Sequence, residues 1–356
     1  MSVGDTEADP LYEVTGIAIT DSHVVIAQES EGTLRFYDRT GTLEKTIGGR
    51  GGGPGEYGGL DWMRRVGDHL FAFDVYGREV SRYSLDGRLL GTVALSPPEE
   101  YLPGLSALGV FPDGSLLADK WYLHWATEPE IARAPAALLL FDEQGGFEQR
   151  LLEMAGPEIW YEPVGTTGMR QMMRFFGRVT HAAVVDSLFV VLENDSYDIP
   201  VYGPDGVVRD TLRPAVVREP TPLTRSRADL FQQVVLDSWD AELGSGRGEV
   251  EQSLAAMGPP EHLPPCGWLS LVSPHHSPMT TADGLVWALR YGGLPREDGG
   301  MDGPEWFVLQ PGVGQIATLS SPDNVVLVDV AGDLAAVIRR TELDEEIVEL
   351  RRIDGR

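Results

Sequence analysis

Short apolar runs alternate with turn residues along almost the whole chain. Between residues 17 and 47 they read Ile17-Ala-Ile-Thr, Val24-Val-Ile-Ala, Leu34-Arg-Phe-Tyr-Asp and Leu43-Glu-Lys-Thr-Ile, with Gly41 in the last turn. Short segments with alternating apolar positions, bounded by Gly, Asp and Asn, predict β-strands rather than helices. The same order returns at 63–93, 108–152 and 182–212, a stretched copy occupies 283–319, and a shortened copy runs from Val325 to Ile353. The turn glycines fall at Gly41, Gly87, Gly145, Gly206, Gly312 and Gly355, and most intervals fit four-stranded propeller blades.

These repeats predict an all-β fold, a six-bladed β-propeller forming one domain over 1–356. The sixth repeat stops at its third strand, whereas Leu11-Tyr-Glu-Val14 is strand-like and belongs to no repeat. The expectation is closure of the ring by this N-terminal strand, which removes the free edges of an open stack. Between the fourth and fifth copies the pattern changes. Leu230, Phe231, Val234, Val235 and Trp239 share one helical stripe, and Val250, Leu254 and Met257 share another, stopped by Gly258-Pro-Pro. Two amphipathic helices, inserted over about 215–264, are expected to pack on one face of the ring.

Composition narrows the function. The chain has 28 Lys plus Arg against 55 Asp plus Glu, a formal net charge of −27, which repels nucleic-acid backbones and anionic membrane surfaces. No apolar run reaches the ~18 residues a membrane helix needs, so no membrane insertion is expected. The start lacks the basic and apolar regions of a secretory signal. A single cysteine, Cys266, excludes an internal disulfide and a thiolate metal cluster.

The run Gly48-Gly-Arg-Gly-Gly-Gly-Pro-Gly-Glu-Tyr57 joins the first repeat to the second. No Lys-Ser/Thr follows it, so it is not a Walker loop. Its Gly53-Pro-Gly-Glu56 followed by an aromatic, with phrases such as Tyr83-Ser-Leu-Asp-Gly87, resembles the bacterial six-bladed β-propeller family related to NHL-repeat proteins. The resemblance spans roughly 11–353 and is strongest over 17–95. It implies a propeller fold and a choice of functions: ligand- or protein-binding propellers, gluconolactonase-like hydrolases or amidating lyases. It also implies a periplasmic or secreted protein, against the cytoplasmic alternative that the missing signal leaves open.

Candidate chemistry gathers at repeats three to five. Arg170, Arg174 and Arg178, interleaved with Met172, Met173, Phe175 and Phe176, form a basic and aromatic run in an acidic chain, read either as an anion pocket or as a short helix or loop whose arginines neutralise nearby acids. His181 opens a strand of the fourth repeat, and His275 and His276 precede a strand of the fifth. Three imidazoles from adjacent blades could hold a divalent metal, zinc or calcium, or could be hydrogen-bonded loop residues. Trp121 and Trp125 supply aromatics in the third repeat, one of them expected in the core. The Asp-Gly pairs at 86–87, 113–114, 205–206 and 283–284 predict hairpin turns, and the acidic loop 297–305 a solvated extension or a calcium site.

The expectation is therefore a monomeric binding propeller with its mouth at blades three to five, taking a small anionic or aromatic ligand, or a peptide or protein. Its candidate residues are Trp121, Arg170, Arg174, Phe175, Arg178, His181, His275 and His276. The alternative is a metal-dependent hydrolase or lyase of the gluconolactonase or amidating-lyase type using His181, His275 and His276.

Overall fold

The computed structural model describes residues 1–4, 10–102, 104–165, 168–174, 176–215, 222–238, 247–266, 280–290, 305–322, 325–341 and 345–353. It begins with a short strand, Ser2–Val3 (β1). The first repeat folds as Val14–Ile19, His23–Gln28, Thr33–Asp38 and Leu43–Gly48 (β2–β5), an antiparallel sheet in chain order. The second does the same with Leu60–Val66, His69–Asp74, Glu79–Ser84 and Leu89–Ala94 (β6–β9).

In the third, Leu105–Val110 (β10), Leu116–Trp121 (β11), Pro135–Phe141 (β13) and Phe147–Ala155 (β14) form the sheet. Glu130–Ala132 (β12) leaves it to pair with Ile159–Val164 (β15), and Gly168–Met173 (β16) completes this small three-stranded sheet. His181–Val185, Leu188–Leu192, Ile199–Tyr202 and Val208–Leu212 (β17–β20) make the fourth repeat. Helices Arg225–Ser238 (α1) and Arg247–Met257 (α2) precede Val286–Arg290, Glu305–Gln310 and Gly314–Ser320 (β21–β23). Val325–Ala331, Leu334–Arg340 and Glu346–Arg352 (β24–β26) end the chain's strands.

Inner strands such as β3, β7 and β13 read as nearly continuous apolar runs because both faces of their sheets are covered there, whereas last strands such as β5 and β9 are largely exposed. On β3, Val24 and Ile26 enter one cluster and Val25 and Ala27 the next. This division recurs from sheet to sheet. The sheet of β2–β5 shares a core with β6–β9, and β6–β9 shares one with the third sheet. The third packs on β17–β20, that sheet on β21–β23, and β21–β23 on β24–β26. The last cluster joins β24–β26 to β2–β5, so the order returns to its start. The result is a β-propeller-like array of antiparallel sheets. No described helix is long and apolar enough to cross a membrane.

The closing strand differs from the expected one. Ser2 and Val3 pair with Glu349 and Val348, while Val14 pairs with Gln28 inside the first sheet. Leu11 still serves the seam: it is fully buried, and its carbonyl accepts a hydrogen bond from the Glu346 amide at 3.0 Å. The apolar signal at 11–14 thus marks a plug between sheets, and the hydrogen-bonded strand lies upstream of it.

The helices also differ in detail. Leu254 and Met257 of α2 are buried against Trp160 as the stripe predicts. On α1, among the side chains described, Ala228 and Leu236 are buried and Leu230 is 40% exposed. The side chains of Phe231, Val234 and Val235, also part of the expected stripe, lie outside the described residues. Trp239 lies outside the described residues. The Asp-Gly turns are as expected: Gly87, Gly114, Gly206 and Gly284 all have positive φ.

Removing Met1–Gly4 should unzip one edge of the β24–β26 sheet and expose Val3, which is 4% accessible. The expected loss is about 2–4 kcal/mol in guanidinium unfolding. A truncated protein with the parent's midpoint would contradict closure by β1.

Candidate functional site

The first strands of the sheets converge on an axis, and two glycines set how closely. A Cβ on Gly16 would lie 2.5 Å from the Met63 carbonyl, and one on Gly109 would lie 3.1 Å from the Val184 side chain. Four first strands carry register shifts, at Val14/Gly16, Leu60/Trp62, Ala107/Gly109 and Leu327/Asp329. Such bulges leave one residue out of the ladder and re-aim its neighbours.

The strands do not meet at the centre. They enclose a cavity of about 460 Å³, to which every repeat contributes: Thr15, Arg64, Gly109, Val184, Thr281 and Asp329 are among its walls. It lies where the first strands turn into the second, since Gly67, Pro112, Asp186 and Gly284 line it as well.

Arg64 is the unusual group there. It is partly buried, and its guanidinium carbon sits 5.7 Å from the Trp62 ring, a cation–π distance. Trp62 is itself fixed, donating its indole N–H to the Ala107 carbonyl at 2.7 Å and stacking on Phe73. Among the described residues Arg64 makes no hydrogen bond and no ion pair; burial lowers its pKa, and the charges of Asp61 and Asp329 only partly oppose this. Arg65, by contrast, donates to the carbonyls of Ile19 at 3.1 Å and Gly67 at 3.0 Å.

Asp329 faces the same cavity. Its carboxylate accepts the Ile19 amide at 3.1 Å, yet burial dominates and pushes its pKa up to about 6. The cavity thus holds one cation without a hydrogen-bonding partner and one acid that exchanges protons near neutral pH.

Of the residues expected from sequence to form the site, His181 lies at the other end of its strand from the Asp186 turn. His181 begins β17, pairing with Leu192. Burial lowers its pKa to about 4, so its ring is neutral, and Nε2 has no partner among the described residues. His275, His276 and Phe175 lie outside the described residues. Among the described residues no group of three His, Cys, Asp or Glu side chains could hold a metal. Of the acidic loop 297–305 only Glu305 is described, and it pairs with Arg290 at 2.9 Å.

In the arginine run, Arg170 lies on β16 opposite Glu162, while Arg174 and Arg178 follow that strand in a loop, where the reading of arginines that neutralise nearby acids applies. Its cations are engaged. Arg170 reaches Glu162 at 3.2 Å and Ser253 of α2 at 3.1 Å. Arg174 and Arg178 share the buried carboxylate of Glu158 at 3.1 and 2.6 Å, and Arg178 also pairs with Asp195. Arg133, which the sequence reading passed over, joins this network through Asp195 at 3.0 Å and the Thr180 hydroxyl at 2.7 Å. The network ties the small sheet to the fourth repeat.

Trp121 donates to Asp119 at 2.5 Å and, with Tyr122, Ile159 and Tyr161, lines a separate crevice of about 190 Å³. Burial raises Asp119 to about 7. Trp125 is 64% exposed, so of the two tryptophans only Trp121 packs inward.

Arg64 and Asp329 stand outside both the histidines and the basic run that the sequence pattern points to. A signal existed. Leu60-Asp-Trp-Met-Arg-Arg-Val and Val325-Val-Leu-Val-Asp-Val place charges inside strands that otherwise bury both faces.

No protein-family model matches the chain, and no curated protein matches it. Its fold is similar to several solved structures. One is a Bacteroides fragilis protein described as exported, at 10% identity over 99% of this chain and 94% of that one, TM-score 0.48. Another is a Bacteroides vulgatus member of a family of unknown function, at 8% identity over 96% and 93%, TM-score 0.45. A third is virginiamycin B lyase from Staphylococcus aureus, at 11% identity over 100% and 88%, TM-score 0.39.

Two titrations should act in opposite directions. Native Asp329 holds its proton up to about pH 6 whereas the unfolded chain releases it near 3.8, so this group's contribution to stability falls as pH rises from about 4 to 6. Asp329→Asn, which keeps an acceptor for Ile19, should gain about 2–3 kcal/mol relative to the parent above pH 6 and little below pH 4. His181 is the converse: with a native pKa near 4 against 6.5 unfolded, its contribution is present above pH 6.5 and is lost as pH falls toward 4. His181→Phe should flatten that acid limb in urea unfolding series. Parallel pH profiles for parent and variants would show that neither group is buried as described.

Breaking the arginine network should be costly. Glu158→Gln leaves Arg174 and Arg178 around a neutral amide, with an expected loss of about 2–4 kcal/mol in the same unfolding assay.

Proposed function

We propose that the chain is a six-bladed β-propeller that binds a small organic anion, a carboxylate above all, in its axial cavity at Arg64. The six shared cores, each linking one sheet to the next and the last to the first, support the blade count. A single observation carries the ligand class: a guanidinium over Trp62, without hydrogen bond or ion pair among the described residues, in a cavity of about 460 Å³. That volume falls in the range of small-molecule sites, about 300–1,000 Å³. A planar fork of donors matches a carboxylate, and the desolvated cation meets an arriving anion at reduced dielectric.

This reading moves the site from the mouth at blades three to five to the axis, because Arg170, Arg174 and Arg178 already have carboxylate partners. The metal-dependent hydrolase or lyase rests on His181, whose ring is neutral with Nε2 unpartnered among the described residues. Its other two ligands, His275 and His276, lie outside the described residues, and no specific observation favours it.

The test is a titration calorimetry panel of short carboxylates against the parent and Arg64→Met. The variant should bind at least tenfold more weakly while melting higher, because an uncompensated cation has been removed from the interior. Equal affinity in parent and variant, or loss of binding only through loss of folding, would overturn the proposal.

A further inference from the structure

The turn between the first and second strands carries an aspartate in five repeats, Asp21, Asp68, Asp113, Asp186 and Asp333, and in the other repeat Asp283 sits in the turn that leads into β21, the first strand described there. Each is exposed, and each sits at the end of the ring where the axial cavity lies. Asp186 and Asp283 are walls of the cavity itself.

Their engagement differs. Asp113 accepts from the Ser115 amide at 3.0 Å and from its hydroxyl at 2.7 Å, Asp283 accepts from Thr281 at 2.5 Å, and Arg352 reaches Asp333 at 3.4 Å. Asp21, Asp68 and Asp186 make no hydrogen bond or ion pair among the described residues. The negative field reaches inward: the charge of Asp283 is one of the causes that raise Asp329.

A simple anion therefore meets conflicting electrostatics. The inner wall offers Arg64, whereas the rim repels the ligand on its way in and gains nothing once it is bound. Turn chemistry alone accounts for Asp at hairpins. It does not account for a guanidinium that, among the described residues, makes no hydrogen bond or ion pair below a rim of carboxylates. One ligand chemistry satisfies both.

We propose that the axial site takes a zwitterion, with an anionic end held at Arg64 and a cationic end at the aspartate rim, the class of amino acids and short peptides. The inference rests on the axial reading above and specifies the other end of its ligand. Attraction between rim and ammonium speeds entry, and neutralising both ends leaves neither Arg64 nor the rim uncompensated.

The experiment compares 6-aminohexanoate, hexanoate and hexylamine on the intact protein at pH 7.5, by calorimetry at low and physiological salt. The amino acid should bind about three- to tenfold tighter than hexanoate, the gap narrowing with salt. The triple variant Asp21→Asn, Asp68→Asn, Asp186→Asn should lose that gap while keeping its affinity for hexanoate. Arg64→Met should weaken both acids.

Hexanoate binding as tightly as 6-aminohexanoate to the parent would overturn the zwitterion and leave the axial anion site intact. A gap that persists in the triple variant would also overturn the role of the rim. Failure of both acids to bind, or binding unchanged by Arg64→Met, would remove the axial reading itself and the inference with it.

Discussion

Six of the described sheets each enter two apolar cores, one on either face, and that constraint organises the rest. A sheet such as β2–β5 buries Val24 and Ile26 on one side and Val25 and Ala27 on the other, so it needs a neighbour on each. An open row of such sheets would leave an apolar face bare at either end. Joining the last sheet to the first removes both. The seam is held by contacts very distant in sequence: the Val14 amide donates to the Glu346 carboxylate at 2.6 Å, and Leu11 and Val3 fill the same cluster as Ile338 and Val348. Sequence separation of this kind is entropically costly to close, and the buried area of a whole inter-sheet core is what offsets it.

Closure has a consequence at the centre. Strands that fan out from an axis crowd at the inner edge, which is why Gly16 and Gly109 occupy positions that no Cβ fits without displacement. Even so, flat strand faces cannot fill a cylinder. The remaining space falls to side chains on the first strands, and here they include Arg64 and Asp329 rather than apolar filler. Both carry a desolvation cost, seen in the lowered pKa of Arg64 and the raised pKa of Asp329. Leu or Val would fill the same space without that cost. Charges kept at a structural expense mark the part of the molecule where chemistry, not packing, sets the residue.

How much of this could be read from the chain alone follows from the range of each signal. Strands and turns are local: alternation and Asp-Gly pairs lie within a few residues, so the repeats and the hairpins at Gly87, Gly114, Gly206 and Gly284 were legible. The closing strand was not. Ser2–Val3 is too short to show a period, whereas Leu11-Tyr-Glu-Val14 shows one and serves as plug and first-strand start. Arginines were legible as cations but not as paired ones, because Glu158 and Asp195 lie 16 to 20 residues away and are brought in by the β15–β16 hairpin and the turn after β18. Leu230 misled for a related reason: helical periodicity tells which residues share a stripe, not which stripe the neighbouring Trp160 will cover. Arg64 and Asp329 were visible as interruptions of apolar strands, and only the convergence of all six repeats makes two such interruptions neighbours.

Net charge and local charge lead to different conclusions here. The formal charge of −27 disfavours polyanions, whose many phosphates must all approach an acidic surface. A single small anion is governed by shorter distances. Screening limits the reach of surface carboxylates to about 8 Å at physiological ionic strength, while a pair about 4 Å apart in a partly desolvated cavity interacts by several kcal/mol. Inside the ring the nearby charges decide, and Arg64, without a hydrogen bond among the described residues and 5.7 Å from the Trp62 ring, is one of them. Its position depends on β6 standing at the axis, which depends on each sheet being clamped by the next, and so on the two residues of β1 at the seam. The electrostatics of the cavity are in this sense a property of the closed ring rather than of any one repeat.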